Sequence, residues 1–440
     1  MAGNALSDMF RIKELRQRIF YTIFWLMIFR LGTYLPLPGI NASALQSYFA
    51  SQAGSGNGIT DYLDFFAGGA FKNFSLFMLG VMPYISMQII MELLMIIFPK
   101  LKETAEDDGG RKKIARWSRI GTIAICIIQG YSTTVWADRI PNAIIMPNRL
   151  QYTLISILTV TTGTMFLIWI GEQITQKGVG NGVSMLIFAG IVARLPNAVY
   201  ELIKKIQTGD INAVYAIVVL VMFVAIVALV VLEEKGQRKI PVNYAKRVVG
   251  RKMYGAQNTY IPFKINPSGV VPVIFASSIL SFPLQIAQSF GVNAKWLRDF
   301  ASFLNPAGFW YNFFYIVLIV FFAYFYTQVT LNPQEISKNI RENGGSIPGI
   351  RSDKMEEYLN RILNRIILPG AIFLALIAFI PSLMQRLFNF PSELSYLLGG
   401  TSLLIIVGVD LDTMSQIEGI MKMHHHDGLI RKGHNKSKSL

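Results

Sequence analysis

Long apolar runs alternate with short polar and basic connections along the chain. Runs of span length fall at 19–37, 74–98, 114–136, 152–174, 181–200, 211–232, 268–290, 309–331, 366–388 and 393–412. Each is close to the roughly 20 residues that a helix needs to cross a bilayer. The pattern predicts an all-α integral membrane protein with ten transmembrane helices. The ninth and tenth are parted only by Asn389, Pro391 and Ser392, which favour a turn. Ahead of the second run lies an apolar piece, 62–71, broken by Gly68 and Gly69, and Pro83 sits inside the run itself. Irregular backbone at membrane depth survives only where protein or a cavity covers it. The piece therefore reads either as a re-entrant loop feeding an ordinary span or as a hinged, plug-like element.

Two connections, 233–267 and 332–365, are longer than turning between helices requires. The first looks β-rich around Lys239–Val249 and has a basic, glycine-punctuated tip from Arg247 to Gly255. The second carries Pro348-Gly349-Ile350-Arg351, a turn that presents one arginine. Both read as solvated loops that set orientation, or as docking surface for an acidic or RNA-containing partner. A weak repeat relates Val81-Met82-Pro83-Tyr84-Ile85 to Val270-Val271-Pro272-Val273-Ile274, each in the second helix of a five-helix half. Five spans per half give the halves opposite orientations, the inverted-repeat layout in which working sites lie between repeats. The expected division is 1–200, 201–412 and a basic tail, 413–440.

Composition narrows the class. Of 440 residues 52% are hydrophobic and 15% charged, which excludes a water-soluble multi-domain protein. The net charge of +15 is best read as topology. Of 41 Lys and Arg residues, 31 lie in the termini and in the connections that share their side, and 9 in the opposite loops. Arg30 remains inside the first span. Lys and Arg collect on the cytoplasmic side, so both termini are expected there. Residues 1–18 are polar and basic, unlike a cleavable secretion signal.

Catalytic chemistry is hard to find. Cys126 lies alone in an apolar run, so neither a disulfide framework nor a cysteine metal site is expected. Gly178-Val179-Gly180-Asn181-Gly182 joins two spans rather than a strand to a helix, unlike a dinucleotide loop. His424, His425 and His426 read as a solvated tail rather than a metal site, so the expectation is no enzyme, no cofactor and no metal. Glu92, Glu172, Asp410 and Asp412 fall near cytoplasmic span ends, and the stem of Arg30 could snorkel outward. A secondary solute transporter with inverted repeats, the alternative reading, would show polar ligands at the midplane. Aliphatic residues stand there instead. Val81 and Ile85 share a helix face, as do Ile187 and Ile191. Such pairs are either packing or part of a dry constriction that closes to ions by dewetting.

Several stretches together identify a family. They are FRLGTYLPLPGI (29–40), FFAGGA (65–70), LGVMPYIS (79–86), GEQITQKGVGNGVS (171–184), VNYAKR (242–247), PVIFASS (272–278), PGIR (348–351) and GGTSLL (399–404). In this order they make the chain resemble, along nearly its whole length, the SecY family of channel subunits of the bacterial Sec protein translocon. The resemblance implies a clamshell of two inverted five-helix halves around a central pore. Through it unfolded secretory polypeptides would cross the membrane, while transmembrane segments leave sideways into the bilayer.

The resemblance further implies a pore ring of Val81, Ile85, Ile187, Ile191, Ile274 and Ile405, with Val81 standing where isoleucine is commoner. It implies a plug, on the external side, made of Tyr62, Leu63, Asp64, Phe65, Phe66, Ala67, Gly68, Gly69 and Ala70. A lateral gate would pass Ser86, Ile90, Ser278 and Phe282, and Lys246, Arg247, Arg251, Lys252 and Arg351 would dock a motor or ribosome. Implied partners are the SecE and SecG subunits, the SecA motor ATPase, the ribosome, secretory preproteins with their signal sequences, and membrane lipids. The implied location is the bacterial inner membrane. On this reading Arg351→Glu abolishes motor-driven transport into vesicles while leaving membrane insertion of the chain intact. Normal transport by the variant would refute the docking role.

Overall fold

The computed structural model describes residues 12–52, 64–107, 109–209, 213–244, 247–249, 252–254, 258–290, 296, 299–300, 303–305, 308–388 and 392–436. The first helix, α1 (Lys13–Gly32), stops five residues before the end of the apolar run. Gly32 lies flat against the Phe77 ring, and a Cβ there would collide with it. The chain then runs antiparallel to 74–76. The Leu37 N–H donates to the Phe74 carbonyl at 2.8 Å and the Leu76 N–H to the Leu35 carbonyl at 2.9 Å. Between these two stretches lies α2 (Ala42–Gln52).

The apolar run 74–98 is not one helix. Residues 67–81 form successive turns, and α3 begins only at Met82 and ends at Ile97. Phe74 and Gly80 take φ values of 45° and 57°, outside the right-handed helical region. Pro83 is not inside a helix but in the first turn of α3, where its missing N–H costs nothing. After α3 the axis bends by 111° into α4 (Pro99–Glu106). Phe98 is extended, as the residue before a proline prefers.

Next come α5 (Gly110–Ala137), α6 (Arg149–Lys177), α7 (Gly182–Val192), α8 (Leu195–Gln207) and α9 (Ala213–Lys235). Asn148 and Asn181 cap α6 and α7 by accepting from backbone N–H groups two and three residues on. The fifth apolar run is interrupted at Ala193-Arg194, just before Pro196 enters the first turn of α8. The remaining helices are α10 (Val271–Phe290), α11 (Phe309–Thr330), α12 (Pro333–Glu342), α13 (Met355–Phe388), α14 (Ser392–Leu398) and α15 (Gly400–Lys436). The helix of the tenth run continues without a break through most of the expected tail.

Among the described residues, 7 helical stretches are long and apolar enough to cross a membrane, with α7 and α8 together counted as one of them, or 8 if the bent pair α3–α4 counts as one span. Of the other two expected spans, α1 carries Lys13, Glu14, Arg16, Arg18 and Arg30, too many charges for that count, and α10 runs over Val271–Phe290. The chain is thus a multi-pass helical membrane protein.

The short sequence repeat is also a repeat of backbone geometry. Gly80 and Gly269 both have φ +57°, and each is followed by Val-x-Pro entering a helix. Ile85 N–H donates to the Val81 carbonyl at 3.1 Å, and Ile274 N–H to the Val270 carbonyl at 3.3 Å. Helices before residue 210 pack chiefly on one another, and so do those after it. The two groups meet where α10 lies against α3 and α5, and again where α15 lies against α7. A continuous buried apolar cluster runs through both groups.

The two long connections are joined rather than separate. Strands β1 (Gln237–Tyr244) and β4 (Asn258–Lys264) pair antiparallel from Gln237↔Lys264 to Asn243↔Asn258. β5 (Gly345–Ser346), from the second connection, pairs with the other edge of β1. A small hairpin, β2 (Arg247–Val249) with β3 (Lys252–Tyr254), forms the tip. Ile240, Val242 and Phe263 pack on Met355, Leu359 and Leu363 of α13, so alternate residues of the strands are buried. At the sheet's base the Asn266 amide donates to both buried carboxylates, Glu233 at 3.4 Å and Glu234 at 3.3 Å.

A Cβ at Gly269 would meet no atom within 4 Å, so only its positive φ resists substitution. Gly269→Ala should therefore cost about 1–2 kcal/mol and lower the thermal unfolding midpoint in detergent. An unchanged midpoint would contradict the left-handed backbone.

Candidate functional site

All six residues of the expected ring are buried, at 6% exposure or less, within the one apolar cluster that spans the molecule. They come from four helices. Val81 and Ile85 start α3, Ile187 and Ile191 lie on α7, Ile274 starts α10, and Ile405 is in the second turn of α15. α3 and α7 belong to one group of helices, α10 and α15 to the other, so both groups contribute.

The segment from Asp64 to Ala70 packs onto this same cluster. Phe65, Phe66, Ala67 and Ala70 are buried in it, and Tyr62 and Leu63 lie outside the described residues. Its close approaches are backbone to backbone, at residues adjoining two members of the ring. A Cβ at Gly80 would stand 3.5 Å from the Cα of Ala67, and Gly80 precedes Val81. Gly68, at φ +65°, lies on Gly190, so that a Cβ on Gly68 would be 2.7 Å from the Gly190 Cα. Gly190 in turn precedes Ile191. Only glycine at both 68 and 190 permits this approach.

Polar groups fix the segment in place. The Asp64 carboxylate, with no exposed side-chain surface, pairs with Arg194 at 2.7 Å and accepts from the Lys72 N–H at 2.9 Å. Arg30 does not snorkel outward. Its guanidinium donates to the Gly68 carbonyl at 2.9 Å and to the Tyr34 hydroxyl at 2.9 Å. Within the segment, the Gly69 N–H donates to the Asp64 carbonyl and the Ser75 N–H to the Ala70 carbonyl. These contacts escaped the sequence reading, which grouped Arg194 with the outer loops. The available signal was one carboxylate among glycines and two arginines set in apolar runs, a combination that burial permits only as pairs.

Of the expected gate residues, Ser278 is fully buried on α10 and its hydroxyl donates to the Ile274 carbonyl at 2.8 Å. The same oxygen is 3.6 Å from the Met82 sulfur on α3, which makes it a direct contact between the two helix groups. Met82 was not anticipated. Ser86 and Phe282 are partly buried, and Ile90 is 43% exposed. Of the expected docking residues, Lys246 and Arg251 lie outside the described residues. Arg247 and Lys252 stand at the start of β2 and of β3, in register with Tyr254 and Val249. Arg351 is exposed and follows Gly349, whose φ of 79° makes the turn.

The fold and this site define a multi-pass helical membrane protein. Two groups of helices meet over a buried aliphatic cluster, and an irregular segment is seated on it. Comparison with known proteins gives the family. The SecY family model matches residues 75–414. The protein translocase subunit SecY of Borreliella burgdorferi is 48% identical over 417 residues, covering 94% of each chain. That of Escherichia coli K12 is 38% identical over 429 residues, covering 96% of this chain and 95% of its own. The chain belongs to the SecY family, as its motifs led one to expect. A solved protein-conducting channel shares the fold with TM-score 0.64 at 18% identity, over 91% of each chain. So does a SecY structure whose plug domain is described as stabilising the closed state and maintaining a membrane seal. Its TM-score is 0.63 at 17% identity, over 91% of each chain.

Proposed function

We infer that the chain is the channel subunit of a protein translocase. It conducts unfolded secretory polypeptides across the membrane and releases apolar segments sideways into lipid. The observation that carries this reading is the seating of Ala67 and Gly68 against Gly80 and Gly190, the neighbours of Val81 and Ile191. An irregular segment thus lies beside Val81 and Ile191 of the first group, within an apolar cluster to which both groups contribute. A constriction of Val and Ile side chains excludes ions by dewetting when closed. When stretched it offers a passing chain no hydrogen bond to linger on. A solute transporter would need polar ligands where these six residues stand.

The finer assignments follow from this reading. Val81, Ile85, Ile187, Ile191, Ile274 and Ile405 form the ring, and 62–70 is the plug. Ten spans make two inverted halves, 1–200 and 201–412. The matching backbone at Gly80 and Gly269 supports this, since it opens the second helix of each half in the same way. The lateral gate is the seam of α3 and α5 with α10, near Ser86, Ile90, Ser278 and Phe282. The chain has no chemistry of its own and takes its energy from a motor or from polypeptide synthesis.

One relative of this fold is a Sec61 channel in a canine ribosome–channel complex, with TM-score 0.60 at 16% identity. In this chain the docking face would be the shared sheet of the two basic connections, with Lys246, Arg247, Arg251, Lys252 and Arg351 meeting the ribosome or the SecA motor. SecE and SecG complete the complex in the bacterial inner membrane, with both termini cytoplasmic.

Ile85→Asn or Ile405→Asn should make the resting channel conduct ions in planar bilayers, because a polar ring member wets the constriction. Unchanged conductance would refute the ring. A photo-crosslinking residue at Ile85 should capture a secretory polypeptide stalled in transit, whereas one at the exposed Ile90 serves as comparison. Intact transport with no adduct at position 85 would move the path elsewhere.

A further inference from the structure

Two charges meet where the molecule is otherwise apolar. Asp64 belongs to the segment seated on the aliphatic cluster, and Arg194 to the turn between α7 and α8. Their side chains are 2.7 Å apart, with 0% and 12% of their surfaces exposed. Phe65 and Phe66, next to Asp64 in the chain, and Ile191, three residues before Arg194, are all buried. A buried ion pair holds firmly while its surroundings stay dry, and breaking it by removing one partner is strongly unfavourable. In water the same pair is worth almost nothing.

We propose that the Asp64–Arg194 pair is a latch that holds the plug closed and sets the threshold for channel opening. The inference rests on the channel reading above and adds to it a pair that responds to the wetting of the pore. In the closed state the pair sits in a low-dielectric pocket and ties segment 64–70 to the α7–α8 turn. Arg30 holds the next point of the segment by donating to the Gly68 carbonyl. The backbone contact of Gly68 with Gly190 brings the two parts close enough for the charges to meet. Once a polypeptide or signal segment parts the aliphatic ring, water enters, both charges are hydrated and the attraction collapses. The latch therefore favours two states, closed and dry or open and wet, over a half-released plug. Arg194 lies at a break between helices, so a shift of α7 relative to α8 acts directly on the pair.

The test uses the full chain purified with its native membrane partners and reconstituted in planar bilayers. Openings of the resting channel are counted for Asp64→Asn, for Arg194→Gln and for the double variant. Asparagine keeps the shape of the carboxylate and an acceptor for the Lys72 N–H. Each single variant should open about tenfold more often or more. The double variant should open no more often than either single, because both remove the same interaction. In parallel, a membrane-impermeant maleimide should modify Phe66→Cys faster in each variant background, which reads plug release independently of ion flow. Ile85→Asn is the control for the channel itself.

If Ile85→Asn conducts while the Asp64 and Arg194 variants stay closed, the latch is wrong and the channel stands. Multiplied effects in the double variant would show two independent contributions and overturn the pair. If Ile85→Asn is silent as well, the channel reading falls and the latch with it. Should Asp64→Asn fail to accumulate, Arg194→Gln alone decides the matter, since it lies outside the plug and must raise both the opening and the labelling rates.

Discussion

Backbone polar groups that leave a helix inside a membrane must find partners within the protein, because hydrocarbon offers none. Segment 64–81 meets that requirement without forming a span-length helix. Its N–H groups return to its own carbonyls in successive turns. Two more bonds tie 74–76 to 35–37, and Arg30 supplies a donor for Gly68. Much else depends on this arrangement. α1 must stop at Gly32 to let Phe77 pass, α3 must start late at Met82, and Gly190 must lack a side chain where Gly68 crosses it.

The second constraint concerns how the two groups of helices meet. Each group is internally packed, and one buried apolar cluster continues across both. Ser278 meets Met82, and the Gly180 N–H donates to Gln416. The shared sheet of the two basic connections lies on α13 and is built almost wholly from one group.

Relatives at 48% and 38% identity over nearly the full chain bear out the family that the motifs implied. The residues carrying that likeness fall in two physical kinds. One is helix-entry grammar, such as Gly-Val-x-Pro before α3 and α10. The other is the set of turns in the basic connections, such as the Pro348-Gly349 turn before Arg351. Both are local, which is why a sequence displays them.

The amino-acid sequence alone determined the membrane class, the order of the apolar runs, the β character near Lys239 and the pairing of Val81 with Ile85 on one face. These depend on hydrophobic length, on propensity and on spacing of a few residues. Tertiary structure alone decided that 74–81 is not helical, that the two long connections share one sheet, that Arg30 turns inward and that Asp64 finds Arg194. In each of these cases the deciding partner is distant in the chain. Arg30 and Gly68 are 38 residues apart, and no local pattern at either position records the other. Burial settled the outcome, because a charge or a bare carbonyl cut off from water must be satisfied by whatever the fold brings within reach.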